Sequence, residues 1–191
     1  MLPMITFIAP AFNEKFETYI FIGSMLCQKD PNWKAIIYHN GPNKWLKYFV
    51  ESFADQRLIY KESETNTGAW GSYNRIDAIN NLVDTEYVVQ TSIQDYWFPN
   101  AVGSILEHAG QDFIYWNSIN HLAGYENVLD CEPIINRIDW GNFAIKTDTA
   151  KQVGIQHPLE FTADGLFVTD CMNSGLIKNP QKLNKVLTIH N

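Results

Sequence analysis

The chain has 191 residues, 46% of them hydrophobic and 18% charged, which fits one globular domain with a sizeable core and leaves no room for two full ones. Its formal charge of −7, with no cluster of Lys or Arg, excludes the basic face that a nucleic-acid partner requires. The cysteines Cys27, Cys131 and Cys171 are widely spaced and read as reduced thiols, and no window approaches about eighteen uninterrupted apolar residues, so a soluble, cytoplasmic protein with no transmembrane segment is expected.

The apolar run Met4 to Ala9 predicts a buried strand, which Pro10 should end, with Asn13 and Glu14 beginning a helix. Phe16, Ile20, Met25 and Leu26 have helical spacing. Trp33 to Tyr38 predicts a second strand, Trp45, Tyr48, Phe49 and Phe53 a second helix, and Arg57 to Lys61 a third strand. Apolar residues at 70, 73, 76, 79 and 82 predict a helix from Trp70 to Leu82 that leads to a strand over Glu86 to Gln90. Four strand–helix alternations argue for a mostly parallel sheet built from right-handed crossovers, an α/β sandwich of Rossmann-like character.

The second half is less regular. Strands are predicted over Phe113 to Trp116 and Asn142 to Ile145, helices over Asp148 to Val153 and Ala163 to Ser174, and Val128 to Arg137 is ambiguous. One domain over 1–191 is expected, with a nucleotide-binding half at about 1–99 and an acceptor or catalytic half at about 100–191.

The richest segment is Thr91 to Pro99, where an apolar strand delivers the single carboxylate of Asp95 to an aromatic turn. In open α/β sheets ligands lie outside the carboxyl ends of the strands, so Asp95 is a site candidate as well as a candidate helix-starting turn residue. The strand-to-helix turn Pro10-Ala11-Phe12-Asn13 has the same placement, with backbone amides and an aromatic ring to hold a base.

The helix after that turn carries Ser24 and Gln28 as Ser-x-x-x-Gln. Further along come Asn66-Thr67-Gly68 with Tyr73-Asn74, the turn from Asp95 to Pro99, Gly141-Asn142-Phe143 with Val153-Gly154, and Asp164 with Gly175. In that order and spacing the chain resembles the GT-A fold glycosyltransferases of family 2, over nearly its whole length. The resemblance implies the three-layer sandwich of nucleotide-diphospho-sugar transferases and an inverting enzyme. Such an enzyme would move a sugar from a nucleotide-diphosphate donor, most readily a UDP-sugar, to a hydroxyl of a glycan or glycolipid acceptor in polysaccharide biosynthesis.

Under that resemblance the donor nucleotide would lie against Pro10, Ala11, Phe12, Asn13, His39, Asn40, Gly68, Asn74, Gln94 and Asp95. Asp164 would be the general base, and Trp97 and Trp140 would adjoin the sugar or acceptor. The chain departs from the family in three places. His39-Asn40-Gly41-Pro42 replaces the acidic pair that reads the base, although an amide can still offer both donor and acceptor. Ser92-Ile93-Gln94-Asp95 places an amide at the usual metal carboxylate, and Ala163 replaces the acid before Asp164. A divalent ion, Mn²⁺ or Mg²⁺, would then depend on Asp95 with His190 and the diphosphate, a weak set for a hard cation. These losses keep open an inactive GT-A-like module that binds a nucleotide or glycan without turnover. A sugar-1-phosphate nucleotidyltransferase is a weaker rival, because Pro10 to Lys15 lacks a Gly-rich basic loop. His108, His121 and His157 have no partner at catalytic or metal spacing.

Overall fold

A computed structural model describes residues 4–13, 15–120 and 127–190; Glu14, His121 and Tyr125 lie outside them. The elements in chain order are β1 (Ile5–Ala11), α1 (Phe16–Leu26), β2 (Trp33–His39), α2 (Lys44–Ser52), β3 (Leu58–Glu62), a 3-10 turn over Ala69–Gly71, and α3 (Ser72–Asn81). They continue with β4 (Tyr87–Gln90), β5 (Tyr96–Trp97), α4 (Ala101–Leu106), β6 (Phe113–Asn120) and β7 (Val128–Leu129). After a 3-10 turn over Trp140–Asn142 come β8 (Phe143–Lys146), α5 (Thr147–Val153), α6 (Ala163–Asn173) and β9 (Pro180–His190).

One mixed sheet runs through both halves in the order β3-β2-β1-β4-β8-β6-β9-β5, with β7 paired to β6. Strands β3, β2, β1 and β4 are all parallel, as the alternation predicts. Beyond β4 the expected parallel sheet gives way to mixed pairing: β8 is antiparallel to β4 and β6, β9 is parallel to β6, and β5 is antiparallel to β9. The connections from β4 to β5 and from β7 to β8 carry no α-helix, unlike the crossovers of the parallel half.

Alternate residues of β1 face opposite layers. Ile5, Phe7, Ala9 and Ala11 join one buried cluster with α1 and α2, whereas Ile8 joins the other with α3, α5 and α6. Phe7 is fully buried, so Phe7→Ala costs about 3–5 kcal/mol. Pro10 does not end the ladder as predicted, because β1 continues to Ala11 in register with His39. The Asn13 cap is also corrected: its φ of 64° is left-handed, and α1 begins at Phe16 with Lys15 before it. The third helix starts two residues later than its periodicity predicts. Ala69, Trp70 and Gly71 all have positive φ, and α3 buries Ser72, Asn74, Arg75, Ala78 and Ile79, so of the predicted stripe only Ile79 is fully buried.

Candidate active site

The carboxyl ends of β1, β2 and β4 open onto one region, as the parallel half-sheet requires. At the end of β2 the Asn40 side chain is buried and fully engaged. Its Oδ1 accepts from the Thr67 N–H at 2.8 Å and the Thr67 hydroxyl at 3.0 Å, while its Nδ2 donates to Asn66 at 2.9 Å. His39 is a buried brace and not a solvated turn residue: its Nδ1 lies 2.7 Å from the Gly41 carbonyl, and its Nε2 lies 3.0 Å from Asn43 Nδ2. Asn74 ties α3 to β2 by donating to the His39 carbonyl at 3.5 Å. These residues shape the loop from Ser63 to Gly68, and the side chains of His39 and Asn40 are engaged within it. Phe12 is the half-exposed ring here, 6.3 Å from the His39 ring, and Asn13 beside it is exposed.

Gly71 fixes the far wall of this loop. A Cβ on Gly71 would come within 2.4 Å of Pro10 Cβ, so its hydrogen is what lets the loop lie on β1. Gly68, with φ of 66°, takes a backbone conformation that side chains disfavour, and its N–H bonds Asn66 Oδ1 at 2.9 Å.

After β4 the chain turns back inward. The Asp95 N–H donates to the Ser92 carbonyl at 3.1 Å, and β5 pairs Tyr96 with Ile189 and Trp97 with Thr188. Continuing that antiparallel register by one residue sets Asp95 opposite His190. Asp95 is 0% exposed; its Oδ2 accepts from the Ser92 N–H at 2.8 Å and from the Thr91 hydroxyl, and its Oδ1 lies 2.6 Å from His190 Nδ1. Gln94 is half-buried at the turn, where its N–H bonds the Ser92 hydroxyl at 3.2 Å.

Ser24 and Gln28, the motif residues of α1, serve this turn rather than a ligand. The Trp97 N–H donates to Ser24 Oγ at 3.2 Å, and Gln28 Nε2 donates to the Phe98 carbonyl at 2.9 Å. Gln28 Oε1 also accepts from the Val102 N–H at 3.1 Å. Gly141 is as constrained: a Cβ there would lie 3.0 Å from Asp95 Oδ2.

His190 bridges two carboxylates, with Nε2 3.4 Å from Asp139 Oδ2. Burial disfavours its charge, but the hydrogen bond to Asp95 and the charges of Asp95 and Asp139 outweigh burial and raise its pKa to about 9. It is therefore an imidazolium at neutral pH. Asp139 is also near enough to Asp164, in the first turn of α6, for its charge to act on that carboxyl. Burial first, then the charge of Asp139, raises the Asp164 carboxyl to about 7, against the opposing Gly165 N–H and Arg75.

Arg75 and Asp139 are site residues that no motif reveals. Arg75 is buried on α3, donates to the Trp70 carbonyl at 3.1 Å and the Thr91 carbonyl at 2.7 Å, and lies 5.1 Å above the Trp140 ring. Burial lowers its pKa to about 10, although Asp95, Asp139 and Asp164 all favour its charge. Nothing in the spacing of α3 marks it, since the same buried face also carries Ser72 and Asn74. Its Nε, the Gln90 amide and Asn74 Oδ1 are buried without a protein partner among the described residues, which leaves hydrogen-bonding capacity around the site for water or a ligand.

Of the predicted sugar-facing aromatics, Trp97 needs correction. Trp97 is fully buried against Phe7 and Trp116, and its indole N–H donates to Thr91 Oγ1 at 3.2 Å. Trp140 is half-buried, packed on Phe143 and Phe167 beneath Arg75. The exposed rings are Trp70 (69%) and Phe161 (80%), edge-to-face with centroids 6.1 Å apart. They join the loop before α3 to the loop before α6.

The expected metal ligands are committed to each other. All four protein contacts named on Asp95 and His190 run within the site, Gln94 is neutral, and no group of three His, Cys, Asp or Glu among the described residues could hold an ion. This donor set does not fit a resident divalent cation as arranged.

No protein-family profile matches the chain. Over 132 residues it is 31% identical to a protein of Escherichia coli strain K12 named as a colanic acid biosynthesis glycosyl transferase, WcaA; the match covers 68% of this chain and 44% of that one. The chain thus spans less than half the length of that relative. Among solved structures, S. aureus TarS in complex with UDP-GlcNAc superposes with a TM-score of 0.79 at 14% identity, covering 97% of this chain and 58% of TarS. The Pyrobaculum calidifontis mannosyltransferase PcManGT, with GDP-Man and Mn²⁺, gives a TM-score of 0.73 at 17% identity over 99% of this chain and 57% of that one. At those identities the structural likeness establishes the fold.

Proposed function

From a chain with the GT-A glycosyltransferase fold, we propose an inverting glycosyltransferase of family 2 that transfers a sugar from a UDP-sugar to a hydroxyl of a glycan or glycolipid in the cytoplasm. The observation that carries this reading is Asp164, a half-buried carboxyl at the head of α6 whose pKa of about 7 suits a base working at neutral pH. The kinship to WcaA and to structures holding UDP-GlcNAc and GDP-Man supports a nucleotide-sugar donor.

In this reading Phe12, Asn13 and the loop from Ser63 to Gly68 flank the base, and Asn40 and His39 act by holding that loop. Asp95 acts by holding His190 at the end of β9. Asp164 accepts the proton of the acceptor hydroxyl while its oxygen attacks the anomeric carbon, and the bond to the diphosphate breaks with its electron pair leaving on UDP. Arg75 and the His190 imidazolium supply fixed positive charge around the carboxylates, and no step is routed through a metal. The half-length match to WcaA makes additional acceptor elements beyond this segment part of the proposal.

The test is UDP calorimetry together with UDP release from a panel of UDP-sugars. Binding with release supports the enzyme. Binding without release favours the non-catalytic module that Gln94 and Ala163 suggest, and release unaffected by Asp164→Asn overturns Asp164 as the base.

A further inference from the structure

Trp70 and Phe161 come from loops remote in the chain and meet as exposed rings, with centroids 6.1 Å apart and planes at 83°. A single exposed ring needs no explanation, but two held against each other in water do. Each is fixed by its own backbone. Trp70 has φ of 46°, between Ala69 at 55° and Gly71 at 78°, and its carbonyl accepts from Nη1 of the buried Arg75 at 3.1 Å. Gly71 is seated on Pro10 with no room for a Cβ, so the loop cannot slide along β1 to relax. Phe161 lies in a turn closed by the Ala163 N–H, which donates to the Glu160 carbonyl at 3.2 Å. The start of α6 behind it is anchored as well, since a Cβ on Gly165 would come within 2.7 Å of Ile135 Cα. A left-handed backbone that carries an exposed indole does nothing for the core, and strain of that kind persists where the position of the ring serves a ligand.

We propose that Trp70 and Phe161 form a subsite for a sugar ring of the acceptor, an aromatic corner that receives the C–H face of a pyranose and turns its hydroxyl towards Asp164. The identity of the ligand as acceptor rests on the proposed function, though the corner itself does not. A pyranose presents faces of C–H groups ringed by hydroxyls. Against an aromatic ring those C–H groups leave water and meet the negative π face, while the hydroxyls stay free for solvent and polar neighbours. Two rings at 83° offer a face and an edge, so a sugar stacked on one abuts the other and is fixed in orientation as well as position. The mutual contact and the held backbones order both rings before binding, which lowers the entropic cost of capturing the sugar. The segment carrying Phe161 runs directly into Asp164, whereas the nucleotide is flanked by Phe12 and the loop from Ser63 to Gly68 in the proposed reading. The corner therefore serves the sugar whose hydroxyl Asp164 must reach, and it acts by orientation.

The experiment is saturation-transfer NMR with calorimetry on the full chain, using maltopentaose, cellopentaose, chitopentaose and mannopentaose at up to about 10 mM. At least one of these should receive saturation on its ring C–H protons. Its affinity should fall about fivefold or more in Trp70→Gly and in Phe161→Ala, while UDP affinity changes less than about twofold. Tyr48→Ala, which removes an exposed ring on α2, should leave saccharide affinity unchanged. The proposal is overturned if no oligosaccharide binds, if binding survives both corner variants, or if Tyr48→Ala weakens it equally. It is also overturned if UDP weakens as much as the saccharide, which would give the rings to the donor. Thermal melts confirm folding; should Trp70→Gly unfold, Phe161→Ala decides alone, since it truncates a ring that is 80% exposed. UDP binding and release are measured separately. A protein that holds a saccharide on the corner but binds no UDP loses the proposed function and keeps the subsite, and one that releases UDP but holds no saccharide there does the reverse.

Discussion

The Asp95 carboxylate lies 2.6 Å from Nδ1 of His190 across a sequence separation of 95 residues, and the two-residue pairing of β5 with β9 is what brings them together. The contact closes the site: it ties the turn after β4 to the last strand and places the imidazolium between Asp95 and Asp139.

That imidazolium makes stability pH-dependent. The folded pKa of about 9 exceeds the ordinary 6.5, so the contribution is full below about pH 6.5 and is lost as pH rises through 9. Its size is on the order of 3 kcal/mol. The loss of stability between pH 6.5 and 9, followed by urea denaturation, should be much smaller in His190→Gln; an equal slope in both proteins would separate His190 from it.

Asp164→Asn should lower transfer by about a hundredfold or more while UDP affinity changes less than about twofold. Turnover and calorimetry on the same preparation check this. A variant that keeps its rate leaves Asp164 as a mere first-turn residue of α6.

Gly141→Ala places a methyl group 3.0 Å from Asp95 Oδ2, in a turn also held by the Trp116 indole through the Gly141 carbonyl at 2.9 Å. The neighbours cannot yield without loosening the Asp95 contacts, so a cost of about 1–3 kcal/mol is expected from the denaturation midpoint. A midpoint equal to that of the wild type would mean the turn is looser than its bonds imply.

Trp70 combines an exposed indole with φ of 46°, a conformation that disfavours any side chain. Trp70→Gly should melt no lower than the parent yet transfer more slowly, because the backbone strain is retained for the ring at the mouth of the site. A lower melting temperature with unchanged transfer would make Trp70 a structural residue.

Nucleotide binding should not need a divalent ion. Every oxygen of Asp95 is engaged and Gln94 is neutral, so UDP affinity in chelator and in Mn²⁺ should agree within about threefold. A tenfold gain with Mn²⁺ would require Asp95 to leave His190.

Local chemistry settles part of this molecule. The run from Ile5 to Ala9 is a strand because its residues are apolar on both faces, and the helix from Phe16 to Leu26 follows from its spacing, as does α6 before the left-handed Gly175. Motif order carried the GT-A fold and pointed to Asp95 and Asp164. Side-chain partnership was beyond it. Trp97 and Trp70 are both aromatic residues in turns, and only the packing of β5 on Phe7 and the positive φ of Trp70 send one inward and the other to solvent.

Arg75 and Asp139 show the same division. Each reads locally as an ordinary polar residue, Arg75 on a helix and Asp139 at the start of a turn. Residue type and order marked β1 to β4, β6, β8 and the helices α1, α2, α5 and α6, and singled out Asp95 and Asp164 as candidates, whereas β5, β7 and α4 left no periodic signal. The tertiary structure alone decided that Arg75 and Asp139 surround those acids and that His190, expected beside Asp95, pairs with it as a charged partner, because desolvation and charge pairing depend on distances between segments remote in the chain.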